Sequence, residues 1–489
     1  MQPSVKPCKP GNPAKTFLER LLVVVGACLF LAGPYYRIRW DGQVRFHALQ
    51  GLIETGRPEA MKYSYVGPVV AAPLYMLGSW IDRTQGGVLW AIGSDQRDEA
   101  RSPVRMGSYW WGSEETASHC AAFQLTARYN ALLWLAGIAV MAWLIKGVLP
   151  PQGVGKFFLL LLAGSLAVNH SRDFYGEIFT AVLVGVGITA AYLKVNNRWG
   201  WFLLPVGVAN TPGSILGLVF VTLRRVWESR QLRYALLPVA AILIYLAESR
   251  WRMGIVNRTG YEGDHGLQTM LPYSGLPGFS YPMFFGILGL TLSFGKGLAF
   301  YAPGILLPAL RRLSGEAQAG LRCVYVQWIF FLIGLVLFYS KWWAWFGGLT
   351  FGPRFLVFAS LPAALALALY LAVPSRKVFV NACILAILAL SLWVGVCGAL
   401  FDQEFLIGVA FANGYRMEHL VWHVPEFSAL WHPFLEHHRL TGLDFLLIGY
   451  AVILFVFLGW ECLVEVLRGT GKTCAEVMRR MGSLSSWRF

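Results

Sequence analysis

The chain has too few charged residues for a water-soluble protein. Asp, Glu, Lys and Arg make up 14% of its 489 residues, whereas soluble domains carry about 25%. Hydrophobic residues make up 56%, and the mean hydropathy is +0.53. Several apolar segments supply the ~20 residues that a helix needs to cross a bilayer. Because a spanning segment must satisfy its own backbone hydrogen bonds, this composition predicts an all-α, polytopic membrane protein.

The sequence also lacks cysteine spacings typical of disulfide frameworks or metal sites, and a recognisable cleavage site after its first apolar run. The eight cysteines lie mostly in apolar segments or near the termini, which excludes a disulfide framework and a metal-type cysteine spacing. The first apolar run has no small-residue cleavage site, so we expect a retained span. The net charge of +15 would suggest nucleic acid only if the basic residues clustered on one soluble face. They stand instead at the ends of apolar runs, and we expect no nucleic-acid partner.

The distribution of Lys and Arg predicts the topology. Residues 1–16 form a basic cytoplasmic tail, residues 17–467 a transmembrane domain, and residues 468–489 a second basic cytoplasmic tail. We expect about 12 crossings with both termini in the cytoplasm. Residues 200–223 are predicted as two short helices, broken at Asn210-Thr211-Pro212-Gly213. The remaining predicted spans are 17–34, 123–146, 157–171, 174–194, 234–250, 297–311, 320–340, 354–373, 378–400 and 442–465.

Two long segments are expected on the outer face. Residues 65–81 contain two prolines and are short for a crossing, so 35–122 is predicted as one outer loop with interfacial helices. Residues 401–441 form the last outer loop, in which His419 and His423 have helical i,i+4 spacing. Two such histidines can share a zinc ion, but the intervening Glu of the metalloprotease pattern is missing. A folded cap or acceptor-binding lid is the favoured interpretation of this loop.

The first outer loop begins with a candidate catalytic pair. Asp41 follows the first span directly, and Arg45 comes one helical turn later. An Asp at this position could act as a base beside an anion-binding cation. Taken alone, an interfacial ion pair is the more frequent explanation for two such residues.

Two further candidates lie in short outer turns. Asp173 and Glu177 are four residues apart, so a helix there would place both on one face, where they could bind an acceptor hydroxyl or a divalent cation. Acids that favour a helix N-terminus are the alternative. Lys296 stands between two glycines in an apolar stretch. Because a charge in such a segment is energetically costly, it is a candidate functional residue. A lysine that snorkels to the interface is its alternative.

Aromatic residues mark two more outer segments. Trp342, Trp343 and Trp345 precede a glycine pair and Arg354, which begins the next predicted span. This pattern is typical of an interfacial belt, but it also suits a lip that stacks on a sugar and binds phosphate. Tyr261 and Glu262 lie in the glycine-rich loop 257–265, for which a polar turn is the alternative.

In their order along the chain, these elements resemble the GT-C class of polytopic membrane glycosyltransferases. Within that class the chain is similar to bacterial transferases related to protein mannosyltransferases and to the aminoarabinose transferases of lipid A. It departs from them in lacking a double proline near Lys62 and in having Phe294 where a proline is usual. The matching elements are Asp41-Gly42, Tyr65-Val66-Gly67-Pro68, the acidic turn at Asp173, Ser293–Leu298 and Trp342–Phe355.

The resemblance implies an inverting transfer of a sugar from a polyprenyl-phosphate donor on the outer face of a bacterial inner membrane. Asp41 would be the general base. The acceptor would be a glycan, a lipid or a protein, and a divalent cation is the one cofactor candidate. The donor phosphate would be bound by Arg45, Lys62, Lys296 and Arg354, the acceptor or a cation by Asp173 and Glu177, and the sugar and lipid would be covered by Tyr261, Glu262, Trp342, Trp343 and Trp345.

The alternative function is a polytopic lipid or solute transporter, or a flippase, without transferase chemistry. Such folds show internal repeats and broken spans at corresponding positions in both halves. The sequence has one broken segment, at residues 210–213, and no counterpart in its second half. A polymerase or ligase of lipid-linked glycans would use the same class of donor with a different acceptor.

Overall fold

A computed structural model describes most of the chain and is built almost entirely of helices. Its described residues contain no β-strand, only an isolated bridge between His265 and Pro277, so the all-α prediction is confirmed. Predictions about the basic tail before residue 13 and about residues 86–119 and 256–259 lie outside this part. The described residues are 13–32, 36, 38–85, 120–149, 151–193, 198–255, 260–266, 268–401, 404–436 and 439–484.

Nineteen α-helices can be followed through these residues. They are α1 Pro13–Ala32, α2 Asp41–Thr55, α3 Ala72–Gln85, α4 Ala121–Ala127, α5 Tyr129–Ile145, α6 Pro151–Ala163, α7 Ala167–His170, α8 Glu177–Leu193, α9 Arg198–Asn210, α10 Ile215–Ser229, α11 Leu236–Met253, α12 Met283–Leu292, α13 Leu298–Tyr301, α14 Ala319–Lys341, α15 Ser360–Ala372, α16 Val378–Leu400, α17 Glu404–Tyr415, α18 Glu418–His423 and α19 Gly442–Leu484. Short 3-10 turns join many of them, of which Pro212–Ser214 and Arg354–Ala359 matter most for the site.

Six helical segments of the described chain are long and apolar enough to cross a membrane. Shorter apolar helices cover Gln152–Ala163, Glu177–Leu193 and Met283–Leu292. Neither α2 nor α3 is among the six, and their place in an outer, interfacial loop stays a prediction. The six segments are Ala121–Ile145, Leu232–Met253, Glu316–Lys341, Arg354–Ala372, Val378–Leu400 and Gly442–Thr470.

Two of the predicted spans differ from the structure. Residues 297–311 form no spanning helix but a series of short turns, because Pro303 and Pro308 lack the amide hydrogens that a continuous helix needs. Residues 157–171 are not one helix but are divided between α6 and α7. The helix that contains the last predicted span, α19, continues to Leu484, since no proline interrupts the residues that follow. The predicted break after Asn210 is observed, and Pro212 begins a 3-10 turn between α9 and α10.

The centre of the protein is α15, whose residues from Ser360 to Leu371 are all buried. It packs against α6, α14, α16 and α19. The Arg354–Ala359 turn leads directly into this helix. Arg354 is therefore placed where the most deeply buried helix of the described chain begins.

The break between α9 and α10 is tied to the segment between α2 and α3 and to the turn before α8. The amide of Gly67 donates to Asn210 Oδ1 at 2.9 Å, and Asn210 Nδ2 donates to the carbonyl of Gly176 at 2.8 Å. Polar backbone at a broken helix is tolerated in a membrane protein only where protein groups satisfy it. These two hydrogen bonds bring Gly67 and the turn before α8 to the same end of the bundle.

The close approach of α6 and α16 predicts a position that tolerates no side chain. A Cβ atom on Gly395 would lie 1.8 Å from the carbonyl oxygen of Ala163. We expect Gly395→Ala to lower the free energy of unfolding by about 1–3 kcal/mol, the usual cost of overpacking. Thermal unfolding in detergent measures this loss. In the control Gly449→Ala on α19, no atom lies within 4 Å of the added Cβ, and equal loss in both variants would contradict the packing.

Candidate functional site

Arg354 joins two carboxylates from distant parts of the sequence. Its Nη2 atom lies 2.7 Å from Asp41 Oδ2, and its Nε atom lies 2.9 Å from Glu177 Oε1. Its guanidinium also lies over the ring of Tyr175, 4.4 Å from the centroid. Arg354 and Glu177 are buried, whereas the Asp41 side chain is 30% exposed. Asp41 is therefore the member of this trio that a substrate can approach.

Tyr63 connects Asp41 to two more basic residues. Its hydroxyl hydrogen-bonds the Asp41 carboxylate. The guanidinium of Arg45 lies 4.6 Å from the centroid of the Tyr63 ring, and Lys62 Nζ lies 5.5 Å from it. Lys62 also pairs with Asp264 at 3.2 Å. No pattern in the sequence indicates Tyr63, which lies between the predicted base and the predicted phosphate-binding cations.

Arg45 is buried without enough partners for its charge. The residue is 6% exposed, and its Nε and Nη1 atoms are buried with no hydrogen-bond partner among the described residues. The turn before α8 leaves room for it, since a Cβ on Gly176 would lie 3.0 Å from its guanidinium nitrogens. Buried donors of native proteins are almost always paired. Arg45 therefore has the donors to bind an anion such as a phosphate or a carboxylate.

The segment that carries Lys62 and Tyr63 is fixed at both ends by a buried ion pair on α11. Arg252 pairs with Glu248 at 2.9 Å and donates to the carbonyl of Met61, and Glu248 Oε1 accepts the amide of Tyr65 at 3.0 Å. Sequence reasoning missed these two residues. Their signal was an acid and an arginine at i,i+4 spacing where the apolar run of α11 ends.

Electrostatics keep Asp41 ionised. Burial raises the pKa of its carboxyl, but the Arg354 guanidinium and the hydrogen bond from Tyr63 outweigh burial, so that the pKa is lowered. Burial and the neighbouring Asp41 charge raise the pKa of Tyr63 well above its usual value. Tyr63 thus remains a protonated donor to an ionised carboxylate at neutral pH.

Lys296 interacts electrostatically with Arg354 of this cluster, but its hydrogen bonds go to backbone carbonyls. Its Nζ atom donates to the carbonyls of Gly348 and Thr350 at 2.9 and 2.7 Å. Lys296 is 1% exposed, so it does not snorkel to water. Burial lowers its pKa to about 7, while Glu418 favours the charged form and Arg354 opposes it.

The predicted aromatic lip divides into an accessible part and a buried part. Trp342 and Trp343 are partly exposed, and the Tyr261 ring lies 6.0 Å from that of Trp342. Trp345 is fully buried against Trp422, at 5.3 Å between centroids. Its prediction as a lip residue is corrected, because it fills the core. Glu262 accepts the amide of Gly260 at 2.9 Å within its own exposed turn.

The two predicted acceptor acids do not share a helical face. Glu177 begins α8, but Asp173 lies in the preceding turn. Asn130 Nδ2 shapes this turn by donating to the carbonyls of Asp173 and Tyr175 at 2.6 and 2.8 Å. Among the described residues, no group of three or more His, Cys, Asp or Glu could hold a metal ion.

Residues of the loop between α16 and α19 fold onto the segment that carries Lys296. The amide of Gly295 donates to the carbonyl of Trp422 at 3.0 Å, and Ser428 Oγ donates to the carbonyl of Phe294 at 2.8 Å. The Trp422 ring also stacks on Phe346 at 4.3 Å. Residues 404–436 therefore pack as a cap beside the site.

No protein-family model and no curated protein matches the chain. Among solved structures, it is similar to the crystal structure of ArnT from Cupriavidus metallidurans in the apo state, with a TM-score of 0.48 and 15% sequence identity. The match covers 92% of this chain and 78% of that chain. At this TM-score and identity, the similarity establishes neither a family nor a function. The function is therefore inferred from the residues of the site.

The ion pair on α11 predicts that removing Arg252 destabilises the fold strongly, whereas removing Arg250 does not. We expect Arg252→Met to lower the free energy of unfolding by about 3 kcal/mol, because it leaves the Glu248 carboxylate buried without its partner. Chemical or thermal unfolding in detergent checks this value. Arg250→Met removes the same charge from an exposed position on α11 and serves as the control. If both variants unfold alike, the pair does not hold the Met61–Tyr65 segment.

Proposed function

We propose that the protein is an inverting membrane glycosyltransferase, which moves a sugar from a polyprenyl-phosphate donor to an acceptor hydroxyl on the outer face. The observation that carries this proposal is the pairing of a partly exposed, ionised carboxylate with cations that have unused donors. Asp41 is held by Arg354 and Tyr63, and Arg45 beside it has two buried nitrogens without partners in the described chain. Such a site suits a reaction that removes a proton and releases a phosphate.

Asp41 serves as the general base in this proposal. The acceptor oxygen attacks the anomeric carbon of the sugar, the bond from that carbon to the phosphate oxygen breaks, and the acceptor proton passes to Asp41. A general base must lie within about 2.6–3.2 Å of the group that loses its proton. Because the pKa of Asp41 is lowered, the proton moves as the new bond forms rather than before it. The phosphate leaves as a stabilised anion, so no second acid is needed.

The departing phosphate is bound by Arg45, Lys62 and Arg354. Arginine offers a bidentate fork to phosphate, and lysine a point charge. Oriented cations of this kind stabilise charge that develops in the transition state. A phosphate that binds Arg354 also competes with Asp41 for the same guanidinium. Donor binding then weakens the ion pair of Asp41 and makes its carboxylate a stronger base.

The donor lipid lies against aromatic and apolar side chains beside the cluster. Phe279 is exposed and packs on Trp342 at 5.2 Å, and Met283, Phe284 and Phe285 of α12 are exposed next to it. Trp342, Trp343 and Tyr261 would cover the sugar and the first part of the lipid. Glu177, which has a buried Oε2 atom without a partner in the described residues, and Asp173 remain the candidates for the acceptor or a divalent cation.

Asp41→Asn tests the base. We expect it to lower the rate of sugar transfer by about 10²–10⁴-fold, the usual contribution of a positioned general base. The fold should persist, because Arg354 keeps its pair with Glu177. Transfer of labelled sugar from a polyprenyl-phosphate donor by purified protein measures the rate. Glu426→Gln, an exposed carboxylate of the cap, should have no effect. Full activity of Asp41→Asn would refute the assignment.

The pH dependence of transfer tests the Arg354–Asp41 pair. Removing Arg354 takes away the main influence that lowers the pKa of Asp41 and leaves burial, which raises it. In Arg354→Gln, we therefore expect the residual kcat/KM to fall at a higher pH than in the unmodified protein as the solution is acidified. A pH profile of both proteins measures the shift. Arg416→Gln, at an exposed position, is the control. Coincident acid limbs in Arg354→Gln and the unmodified protein would contradict the pair.

A further inference from the structure

We propose that Lys296 is a positioning residue, which fixes Arg354 through the backbone of residues 347–353, and not a ligand of the donor phosphate. Its kinetic consequences rest on the proposed function. Residues 347–353, called the carbonyl turn from here on, contain both hydrogen-bond acceptors of the lysine and end directly before Arg354.

The ammonium of Lys296 is already engaged. It donates to the carbonyls of Gly348 at 2.9 Å and Thr350 at 2.7 Å, which uses two of the three donors of a lysine. The cap closes the other side, since a Cβ on Gly295 would lie 1.9 Å from the carbonyl oxygen of Val421. Glu418 of the same cap is the acid that favours the Lys296 charge. Lys296 is 1% exposed and has one donor left, so it is poorly placed to bind a phosphate while it holds both carbonyls.

The carbonyl turn needs such external support. Gly347, Gly348 and Gly352 have φ values of 75°, 80° and 56°, a region that favours glycine and leaves the free chain very flexible. Inside the turn, Thr350 Oγ1 donates to the carbonyl of Gly347 at 3.1 Å. His170 adds a second external contact, with Nε2 at 2.8 Å from the carbonyl oxygen of Phe351. Lys296 and His170 together bind three carbonyls of the turn, those of Gly348, Thr350 and Phe351.

The turn is in direct contact with Arg354. The amide of Arg354 donates to the carbonyl of Gly352 at 3.1 Å, and a Cβ on Gly347 would lie 3.1 Å from the Cβ of Arg354. A displaced turn therefore moves the guanidinium, whose two carboxylate contacts are 2.7 and 2.9 Å long. Lys296 and Arg354 carry charges of the same sign, so the link between them is the backbone and not attraction.

A double-mutant cycle in the full-length protein separates positioning from phosphate binding. We expect Lys296→Met to lower kcat for transfer by about 10²-fold, the cost of a misplacement of about 1 Å at a reacting centre, with little change in the donor KM. In an Arg354→Gln background, Lys296→Met should cause no further loss. A direct phosphate ligand would instead raise the donor KM and reduce activity additively with Arg354→Gln. That second pattern overturns the proposal.

A second variant moves the turn without touching the lysine. No atom lies within 4 Å of a Cβ on Gly348, but its φ of 80° strains any other residue. We expect Gly348→Ala to reproduce the loss of kcat seen in Lys296→Met, while Gly408→Ala, which has open space on α17, leaves kcat unchanged. An unaltered kcat in Gly348→Ala would show that the turn does not control Arg354.

The coupling can also be measured apart from catalysis. If the unmodified protein transfers no sugar from any polyprenyl-phosphate donor, the proposed function fails, but the unfolding transitions of the same four proteins still report on the link. We expect the decreases in unfolding midpoint of Lys296→Met and Arg354→Gln to sum to more than the decrease in the double variant. Additive decreases would overturn the positioning role whatever the function of the protein.

Discussion

The site depends on one buried guanidinium that two carboxylates share. Arg354 contacts Asp41 and Glu177 at once, and removing a charge from water into a protein is compensated only by such close pairing. The three residues come from the start of α2, the start of α8 and the turn before α15. This constraint holds three remote parts of the chain together at one end of the helix bundle. Every other group of the site is arranged around it.

The same ion pair sets the chemistry of the site. It keeps Asp41 ionised, and the partial exposure of Asp41 leaves the carboxylate within reach of a substrate. Arg45 stands on the other side of Tyr63 with donors that the described protein does not use. In the proposed reaction, Asp41 would act as the base and Arg45 would bind the departing phosphate. The Glu248–Arg252 ion pair holds the Met61–Tyr65 segment, and Lys296 holds the carbonyl turn.

Much of the fold follows from local sequence, and less of the site does. The all-α class and the break at Asn210 were predicted from apolar runs, charge and proline, which act over a few residues. Residues 297–311 were misjudged because their apolar composition masked two prolines. Trp345 was misplaced because burial depends on a cap more than 70 positions further along the sequence. Tyr63, Glu248 and Arg252 gain their roles only from partners that the fold brings near.

Native mass spectrometry of the purified, full-length protein tests the central claim most directly, because it asks whether the cationic site holds a lipid phosphate. We expect a fraction of the protein to carry an adduct with the mass of a polyprenyl phosphate, with or without a sugar. Arg45→Gln should lose this adduct and keep ordinary membrane lipids. An adduct that Arg45→Gln retains in full, or unmodified protein that binds no polyprenyl phosphate even when the lipid is added, would contradict the account.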